Sequence, residues 1–587
     1  MLNIHKQYCT EKFDAKGNLT YFRTRCGDHF NFAYDVMDAI GAGEPERRAM
    51  IWRNPEGEAH DLRFSDFARW SNKAANFFLS QGIRKGDRVM VILRRHYSFW
   101  IVSLALTKIG AIVVPATFML KEHDVTYRIQ AAGLAAIVTT TVGTISDVID
   151  ESCTKLAAAG QPTPKRFLIN GAQPDVPSSD ACRWDPSLFG QRLSGPAGLF
   201  AAPCARDGWT DASTGIHVAP DQLRRIPNNT RDPFLIYFTS GTSGEPKMAL
   251  HDHGYAAAHL STAKYWHGVD PEGVHLTVAD TGWAKCTWGK FYGQWFMEAC
   301  QLVYDYDRFH GNEILQLIQD YHLTTFCCPP TMWRLLSRED VDSYDLSSIK
   351  RFTTAGEALP PDQFNFWLQH TGHKIYEGFG QTESPVIIAN IDGMEPRPGS
   401  MGKPVPFAEI RLLRPDLTEC APHEPGEICI RCDPRPDGIL KEYFNNAQKT
   451  ADAFRGGWYR TGDTAYADED GYYYYCGRND DLIKSSGYRI SPFEVESALN
   501  LHPAVRECAV TGVPDKLRGF AVKATVVLEP GVAGTDDLKR ELQRWTKDKT
   551  APYKYPRVIE FVDSLPRTFS SKIRRAEIRR QDARRAA

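Results

Sequence analysis

The chain has 587 residues, which is too long for a single hydrophobic core, so we expect two or more domains. Hydrophobic residues make up 42% and charged residues 24%, with a formal net charge of −2. This balance excludes attraction of the whole molecule to nucleic acid or to an anionic membrane surface. The fourteen cysteines are scattered, which favours a reducing compartment over a disulfide framework.

The N-terminal residues contain no apolar signal segment, so we expect a cytoplasmic protein. Residues 99–120 form an apolar run long enough to suggest a membrane span. The run contains Lys108, Gly110 and Pro115, and this interruption predicts a buried helix followed by a buried strand. We therefore predict no membrane span.

Two patterns of organisation follow each other along the chain. The first two-thirds alternates helical patterns with short β-branched runs, which indicates parallel sheets covered by helices. After about residue 480, Ser491 and Pro492 have the spacing of a helix start, and strands and a second helix follow. We predict an α/β protein with a large N-terminal domain of helix-covered β-sheets at residues 1–479. A small mobile α+β domain is predicted at residues 480–587.

Residues 239–247 read TSGTSGEPK and have the composition of a phosphate-binding loop. The loop is not a Walker motif, because Pro246 stands where a glycine is required and Met248 follows Lys247. An apolar strand pattern precedes the loop, and an alanine-rich helical pattern begins near Gly254. We therefore predict the order strand, loop, helix, which is typical of phosphate sites.

Further motifs follow this loop in a fixed order. They are YEGFGQTE at 376–383, YRTGD at 459–463, GRNDD at 477–481, KSSGYR at 484–489 and PRTFSSK at 566–572. With these motifs the chain resembles the adenylate-forming superfamily of acyl-CoA synthetases, peptide-synthetase adenylation domains and luciferases. The resemblance spans roughly residues 62–575, and the nearest branch is the AMP-forming acetyl- and medium-chain acyl-CoA synthetases.

The resemblance implies ATP, Mg²⁺ and CoA as reaction partners, together with a small carboxylic acid. It implies a triphosphate site at Thr239, Ser240, Gly241, Thr242, Ser243, Gly244 and Lys247. It implies an adenine site bordered by Gly356, Glu357 and Ala358 with Phe379 stacking, and ribose contacts from Asp463 and Arg478. Thr382 is expected at the α-phosphate and Glu383 at Mg²⁺, while Glu377, Gly378, Gln381 and Arg489 complete the nucleotide site.

The resemblance also implies a moving domain. Lys572 is expected to reach the α-phosphate during adenylation and to leave when the small domain turns to admit CoA, with Asp480 as the hinge. Gly487 is expected to line the channel for the thiol arm of CoA. The family usually has glycine before this lysine; here the residue is Ser571, which fits only if its φ is negative.

The acyl pocket is expected near Trp283, Lys285, Trp288 and Gly380. In acetyl-specific relatives a tryptophan occupies the position of Gly380, so the pocket is expected to extend beyond a two-carbon acid. Trp288 is expected to close the pocket. The simpler interpretation of Lys285 is an amine on a solvated face. If it faces the acyl group instead, it favours a tail with a second hydrogen-bond acceptor.

His251 and His253 have the spacing of a metal pair, but without further ligands they are better interpreted as structural histidines. Three functions remain open at this point. The first is a ligase that joins CoA to a medium-chain, branched or aromatic acid. The second is a separate enzyme that loads a carrier-protein thiol. The third is a non-catalytic nucleotide-binding relative, which we would expect to have lost Glu383, Asp463 or Lys572, and all three are present.

Overall fold

A computed structural model describes residues 1–55, 58–171, 199–239, 245–479, 481–486, 488–567 and 572–586, apart from the side chains of Arg489 and Ala586. Within these ranges no helix is both long enough and apolar enough to cross a membrane. The apolar run near residue 100 forms a buried helix, Ser98–Ile109, and a buried strand, Ile112–Pro115, as predicted. The ammonium of Lys108 on that helix is paired with Asp38 at 2.7 Å.

The strands follow one another along the described residues. In chain order they are β1 (Cys9–Phe13), β2 (Leu19–Thr24), β3 (Arg48–Arg53), β4 (Ala59–Arg63), β5 (Arg88–Ile92), β6 (Ile112–Pro115), β7 (Ala136–Thr140), β8 (Lys165–Ile169), β9 (Thr210–Asp211), β10 (Pro233–Thr239), β11 (Lys247–Asp252), β12 (Val274–Thr277), β13 (Cys300–Tyr304), β14 (Thr325–Cys327), β15 (Arg351–Ala355), β16 (Ile375–Gly380), β17 (Val386–Ala389), β18 (Lys403–Pro404), β19 (Ile410–Leu413), β20 (Gly426–Arg431), β21 (Glu442–Tyr443), β22 (Phe454–Arg455), β23 (Trp458–Ala467), β24 (Tyr473–Arg478), β25 (Ile483–Ser485), β26 (Tyr488–Ile490), β27 (Val505–Asp515), β28 (Gly519–Leu528) and β29 (Val558–Phe561).

The α-helices alternate with these strands. In chain order they are α1 (Ala39–Gly43), α2 (Phe64–Ser80), α3 (Ser98–Ile109), α4 (Glu122–Ala132), α5 (Ile145–Ala158), α6 (Ala212–Val218), α7 (Gly254–Ser261), α8 (Ala284–Gly289), α9 (Tyr292–Phe296), α10 (Gly311–Asp320), α11 (Pro330–Leu336), α12 (Pro361–Thr371), α13 (Ala447–Ala453), α14 (Pro492–Asn500), α15 (Asp536–Lys549) and α16 (Arg575–Ala586).

Two large sheets account for most of the strands before residue 450. One has the order β21-β11-β10-β6-β5-β7-β8-β9, and the other has the order β18-β17-β16-β15-β14-β12-β13-β3-β4. Their central strands are parallel. Parallel neighbours need helical crossovers, and these cover both faces of the sheet, which is why β5, β6 and β7 are almost entirely buried. The predicted architecture of helix-covered β-sheets is confirmed.

Two smaller sheets follow. In the first, β19-β20-β23-β22 run in order and β24 pairs with β23; in the second, β25 to β29 pair among themselves. The chain passes from one to the other between Arg478 and Ile483. The Ser491 hydroxyl caps α14 by accepting from the Glu494 amide at 3.3 Å, as its sequence predicted. The domain boundary at residues 479 and 480 stays a prediction, and Asp480 lies outside the described residues.

One local prediction is wrong. The strand before the glycine-rich loop, β10, is followed by β11 and not directly by a helix, and β11 pairs antiparallel with β10 so that Thr239 lies opposite Lys247. Helix α7 begins only afterwards, at Gly254. The apolar side chains of Met248 and Leu250 are buried in this strand, between β10 and β21. The loop therefore joins two strands, and no helix N-terminus follows it directly.

Candidate active site

The predicted nucleotide residues gather near the ends of β10, β15, β16 and β23. Thr239 ends β10 and Lys247 begins β11. Glu383 follows β16, and its buried carboxylate accepts a hydrogen bond from the Tyr443 hydroxyl at 2.9 Å. The Lys247 ammonium lies 5.1 Å from the centre of the same Tyr443 ring. Burial raises the pKa of Glu383, and the charges of Lys247 and Arg478 oppose that rise. Three of the predicted residues, Lys247, Glu383 and Arg478, are therefore neighbours.

Glu383 is suited to hold Mg²⁺ together with substrate phosphates. No group of three or more His, Cys, Asp or Glu side chains within the described ranges could hold a metal alone. Mg²⁺ is commonly bound through one or two carboxylates plus the oxygens of a bound nucleotide. A single buried carboxylate beside the phosphate loop fits that chemistry.

Thr382 is held through its backbone by a histidine that the sequence did not single out for this role. The Nε2 atom of His251 donates to the Thr382 carbonyl at 2.9 Å. Burial lowers the pKa of His251 to about 3, so the ring is neutral. His251 lies in β11 and His253 directly after it, and both side chains are buried.

Asp463 has the most complete set of partners in the site. Its Oδ1 atom accepts from the Tyr475 hydroxyl at 2.8 Å, and its Oδ2 atom accepts from the Gln381 amide. Gln381 is itself fixed, because its amide also donates to the Thr461 carbonyl at 2.9 Å and its oxygen accepts from the Tyr459 hydroxyl at 3.0 Å. The side chain of Gln381 thus orients Asp463.

Two cations approach this carboxylate. Arg478 lies opposite Asp463 in the pairing of β23 with β24. Burial raises the pKa of Asp463, while the charges of Arg478 and Lys572 and the hydrogen bonds from Tyr475 and Gln381 oppose the rise. Lys572 is separated from the other motifs by about ninety residues, yet its charge acts on Asp463. The exposed Lys572 therefore lies in the same region of the structure as the buried Asp463.

Three contacts hold the segment around Lys572 and the neighbouring β24. Pro566 accepts from the Arg574 amide at 2.8 Å, which folds the chain back around the lysine. The Arg575 guanidinium then makes two bonds to Glu496, at 2.6 and 3.0 Å. From α14, the ring of Phe493 lies 6.3 Å from that of Tyr475 on β24.

The predicted adenine edge lies at the ends of β15 and β16. Gly356 directly follows β15 with φ +104, a conformation that favours glycine. The Glu357 carboxylate accepts from the Thr331 hydroxyl at 2.8 Å, and Ala358 is partly buried beside it. The half-buried ring of Phe379 lies 6.0 Å from Tyr475, the residue that binds Asp463.

Glu377 and Gly378 are buried in β16. Glu377 is 4% exposed and accepts a long hydrogen bond, 3.3 Å, from the Leu359 amide. Burial raises the pKa of its carboxyl to about 8. A Cβ on Gly378 would lie 2.6 Å from the Trp266 ring, so this glycine allows close packing in the core. The nucleotide contacts of these two residues stay a prediction.

The space beside Gly380 is filled. A Cβ at this position would lie 2.4 Å from the Pro385 carbonyl oxygen and 2.9 Å from Cη2 of Trp288. A side chain at position 380 would therefore collide with its neighbours, and the predicted acyl pocket beside Gly380 stays a prediction. Trp288 is buried in α8, and Trp283 stands just before that helix and is partly buried. The indole of Trp288 occupies part of the space that a side chain at position 380 would need.

The prediction that Lys285 lies on a solvated face is wrong. Its ammonium donates to the Ala355 carbonyl at 3.0 Å, and the side chain is partly buried. Lys285 is the second residue of α8, which packs its other side into the core. The lysine thus points toward the sheet end that carries Gly356.

Several predicted residues lie outside the described part of the chain. They are Ser240, Gly241, Thr242, Ser243, Gly244, Asp480, Gly487 and Ser571, together with the side chain of Arg489. Their roles stay predictions. Four residues that the sequence did not assign, Tyr443, Tyr459, Tyr475 and His251, hold predicted ones in place. Tyr459 is the first residue of the motif YRTGD, and this position could have indicated that it supports the site.

Two family models match the chain. The model described as AMP-binding enzyme matches residues 37–444, and the model described as AMP-binding enzyme C-terminal domain matches residues 494–572. Human "Acyl-coenzyme A synthetase ACSM3, mitochondrial" is 36% identical over 573 residues, covering 96% of this chain and 91% of that protein. Human "Acyl-coenzyme A synthetase ACSM5, mitochondrial" is 36% identical over 565 residues, covering 94% and 91%.

A solved structure agrees with these relatives. The anthranilate CoA ligase AuaEII in complex with anthranoyl-AMP superposes with a TM-score of 0.81 at 26% identity. The match covers 96% of this chain and 99% of that one. The chain belongs to the AMP-binding enzyme family and is similar over nearly its whole length to acyl-coenzyme A synthetases.

Proposed function

We propose that this protein is an AMP-forming acid:CoA ligase. It activates a carboxylic acid larger than acetate, of medium-chain, branched or aromatic type, with ATP, and then transfers the acyl group to CoA. Relatives named as acyl-coenzyme A synthetases and a structural neighbour named as an anthranilate CoA ligase support this proposal. The observation that carries it is the buried carboxylate of Asp463, which is oriented by Tyr475 and Gln381 and on which the charge of Lys572 acts.

The first step makes the acid reactive. A carboxylate is a poor electrophile, because attack on it adds negative charge to an anion. One oxygen of the acid attacks the α-phosphorus of ATP, the bond from that phosphorus to the bridging oxygen breaks, and pyrophosphate leaves. Lys572 neutralises charge that develops between the acid and the α-phosphate. Asp463 binds the ribose hydroxyls, because a carboxylate can accept two hydrogen bonds.

Mg²⁺ is part of this proposal. Glu383 would hold the ion together with phosphate oxygens, and the ion would supply positive charge that favours departure of pyrophosphate. The hydrogen bond from Tyr443 to Oε1 orients the Glu383 carboxylate. Lys247 and the loop before it hold the phosphates that leave.

The second step forms the thioester. The CoA thiol loses its proton, its sulfur attacks the acyl carbon, and AMP leaves as its phosphate anion. We propose that Lys572 withdraws at this stage by rotation of residues 480–587 about Asp480, with Gly487 lining the thiol channel. The alternatives are a separate enzyme that loads a carrier-protein thiol and a non-catalytic relative.

A panel of carboxylic acids distinguishes these functions. Pyrophosphate release is measured with ATP and Mg²⁺, with and without CoA, over straight-chain acids of two to ten carbons, branched acids and benzoates. We expect release to increase with CoA, acyl-CoA to accumulate, and acetate to be among the poorest substrates. Release that ignores CoA but increases with a carrier protein favours the loading enzyme, and no release with any acid contradicts both catalytic functions.

The cytoplasmic location remains a prediction. The relatives described above are named as mitochondrial proteins, so the compartment of this chain has to be measured. Fractionation of cells that produce the full chain measures it directly.

A further inference from the structure

Lys285 lies at the carboxyl ends of neighbouring strands of the nine-stranded sheet. Its ammonium donates to the carbonyl of Ala355, the last residue of β15. Burial raises the pKa of the Cys328 thiol, directly after β14, and the charge of Lys285 opposes that rise. Ligands of open α/β sheets bind outside the carboxyl ends of the strands. Lys285 is therefore placed where a substrate must lie.

The ammonium is incompletely paired. It has three N–H donors, and the Ala355 carbonyl accepts only one. Across the ranges that the structure describes, no carboxylate lies within ion-pair distance of Lys285. By contrast, the buried Lys108 is paired with Asp38 at 2.7 Å, and Lys523 with Glu560 at 2.5 Å. Burial of part of a cation without an anionic partner costs free energy, and an acceptor on a bound ligand would reduce that cost.

The neighbouring wall indicates which ligand this is. Trp288 is three residues further along α8, so the two side chains project from the same side of the helix. Its indole stands against Gly380, at the end of β16. The wall thus combines an apolar ring with one ammonium. Such a wall fits an acid whose tail has both an apolar part and an oxygen acceptor.

We infer that the acid this protein activates carries, besides its reacting carboxylate, a second oxygen acceptor that binds the ammonium of Lys285. The acceptor is a carboxylate, oxo or hydroxyl group in the tail. This inference rests on the proposed acid:CoA ligase function and names the class of its substrate. Lys285 is then a residue that determines specificity and does not touch the reacting atoms.

Matched acids test this inference. Hexanoate is compared with adipate, 6-hydroxyhexanoate and 5-oxohexanoate, and benzoate with 2-, 3- and 4-hydroxybenzoate. Each acid is assayed by ATP–pyrophosphate exchange and, independently of turnover, by the Tm shift that it produces in the presence of AMP. The proteins are the unmodified chain, Lys285→Met, Lys285→Arg, and Lys12→Met, an exposed lysine on β1 that serves as the control.

We expect the unmodified chain to prefer at least one oxygen-bearing acid over its plain partner. Lys285→Met should lower kcat/KM for that acid about 10- to 100-fold, since a hydrogen bond to a charged group is lost. The plain acid should change little, the KM for ATP should stay constant, and Lys285→Arg should recover part of the preference. The Tm shift from the preferred acid should disappear in Lys285→Met and persist in Lys12→Met.

Two results overturn the inference while leaving the ligase function intact. One is a chain that activates the plain acids as well as their oxygen-bearing partners. The other is a Lys285→Met variant that lowers activity equally for all acids or raises only the KM for ATP, which would make the lysine a support for the end of β15. Absence of exchange and of Tm shifts with every acid contradicts the proposed function itself.

Discussion

The ribose side and the acyl side of the candidate site hold their charged groups differently. On the ribose side, Asp463 accepts from two oriented side chains and has Arg478 and Lys572 near it. On the side where the acyl group is expected, Lys285 has one backbone carbonyl. The buried Glu377 on β16, which belongs to neither side, likewise has one long bond to a backbone amide. A charged group whose hydrogen bonds are all made is already oriented before its ligand binds. The orientation or charge of a group with unmade hydrogen bonds depends on the ligand or on pH.

Removal of the lysine from the ribose side should have the largest effect. We expect Lys572→Ala to lower the rate of adenylate formation about 100- to 1,000-fold, the range for loss of one group that stabilises developing charge. Conversion of supplied acyl-AMP and CoA to thioester should persist, because that step no longer needs the lysine. ATP–pyrophosphate exchange measures the first step and thioester formation the second.

The neighbouring variant Arg574→Ala is the matched control, since it removes an exposed cation two residues away. Exchange should remain near its normal rate in that variant. An undiminished exchange rate in Lys572→Ala would contradict the role of the lysine. Equal loss of both steps would instead indicate damage to the small domain.

A change of Asp463 should have the next largest effect. Asp463→Asn keeps the shape but replaces one acceptor oxygen with an amide group that faces Tyr475 or Gln381, both of which donate to the native carboxylate. We expect the KM for ATP to rise about 10- to 100-fold, with a smaller change in the KM for the acid. Exchange kinetics at varied ATP measures this rise, and equal rises for ATP and acid would show that the effect is not confined to the ribose side.

The two sides also differ in how well the sequence predicted them. The resemblance named Glu383, Asp463 and Lys572 because each lies in a motif of the family, and the structure shows Glu383 and Asp463 buried. The supporting residues were not predicted. Tyr475 lies in a run of four tyrosines, and only the pairing of β24 with β23 shows which of them reaches Asp463. Pairing register is a tertiary property that a single sequence does not reveal.

The acyl side was predicted less well for a physical reason. The sequence did not show that the indole of Trp288, ninety-two positions earlier, stands against Gly380. Lys285 was expected in solvent, but α8 directs it toward Ala355. Pocket shape depends on which distant side chains meet, and packing against partners from other elements decides this. The predicted order of strand, loop and helix was wrong for a similar reason. The apolar residues after the loop form strand β11, which pairs with β10 on one side and β21 on the other.

The smallest expected effect concerns Glu377 and pH. The pKa of this buried carboxyl is about 8 in the folded chain, against an ordinary 4.5. Below pH 4.5 both folded and unfolded chains hold the proton. As pH rises from 4.5 to 8, the unfolded chain loses the proton and the folded chain retains it, so the free energy of unfolding falls by at most about 1.4 kcal/mol per pH unit.

Glu377→Gln cannot ionise, so it should lack this dependence. We expect the Tm of the variant, relative to the unmodified chain, to be higher by a few degrees at pH 7.5 than at pH 5.5. Glu151→Gln, which changes a carboxylate exposed on α5, should show the same difference at both pH values. A Glu377→Gln difference that is constant with pH would mean that the carboxyl ionises in the folded chain and that a partner stabilises its charge there, as Tyr475 and Gln381 do for Asp463.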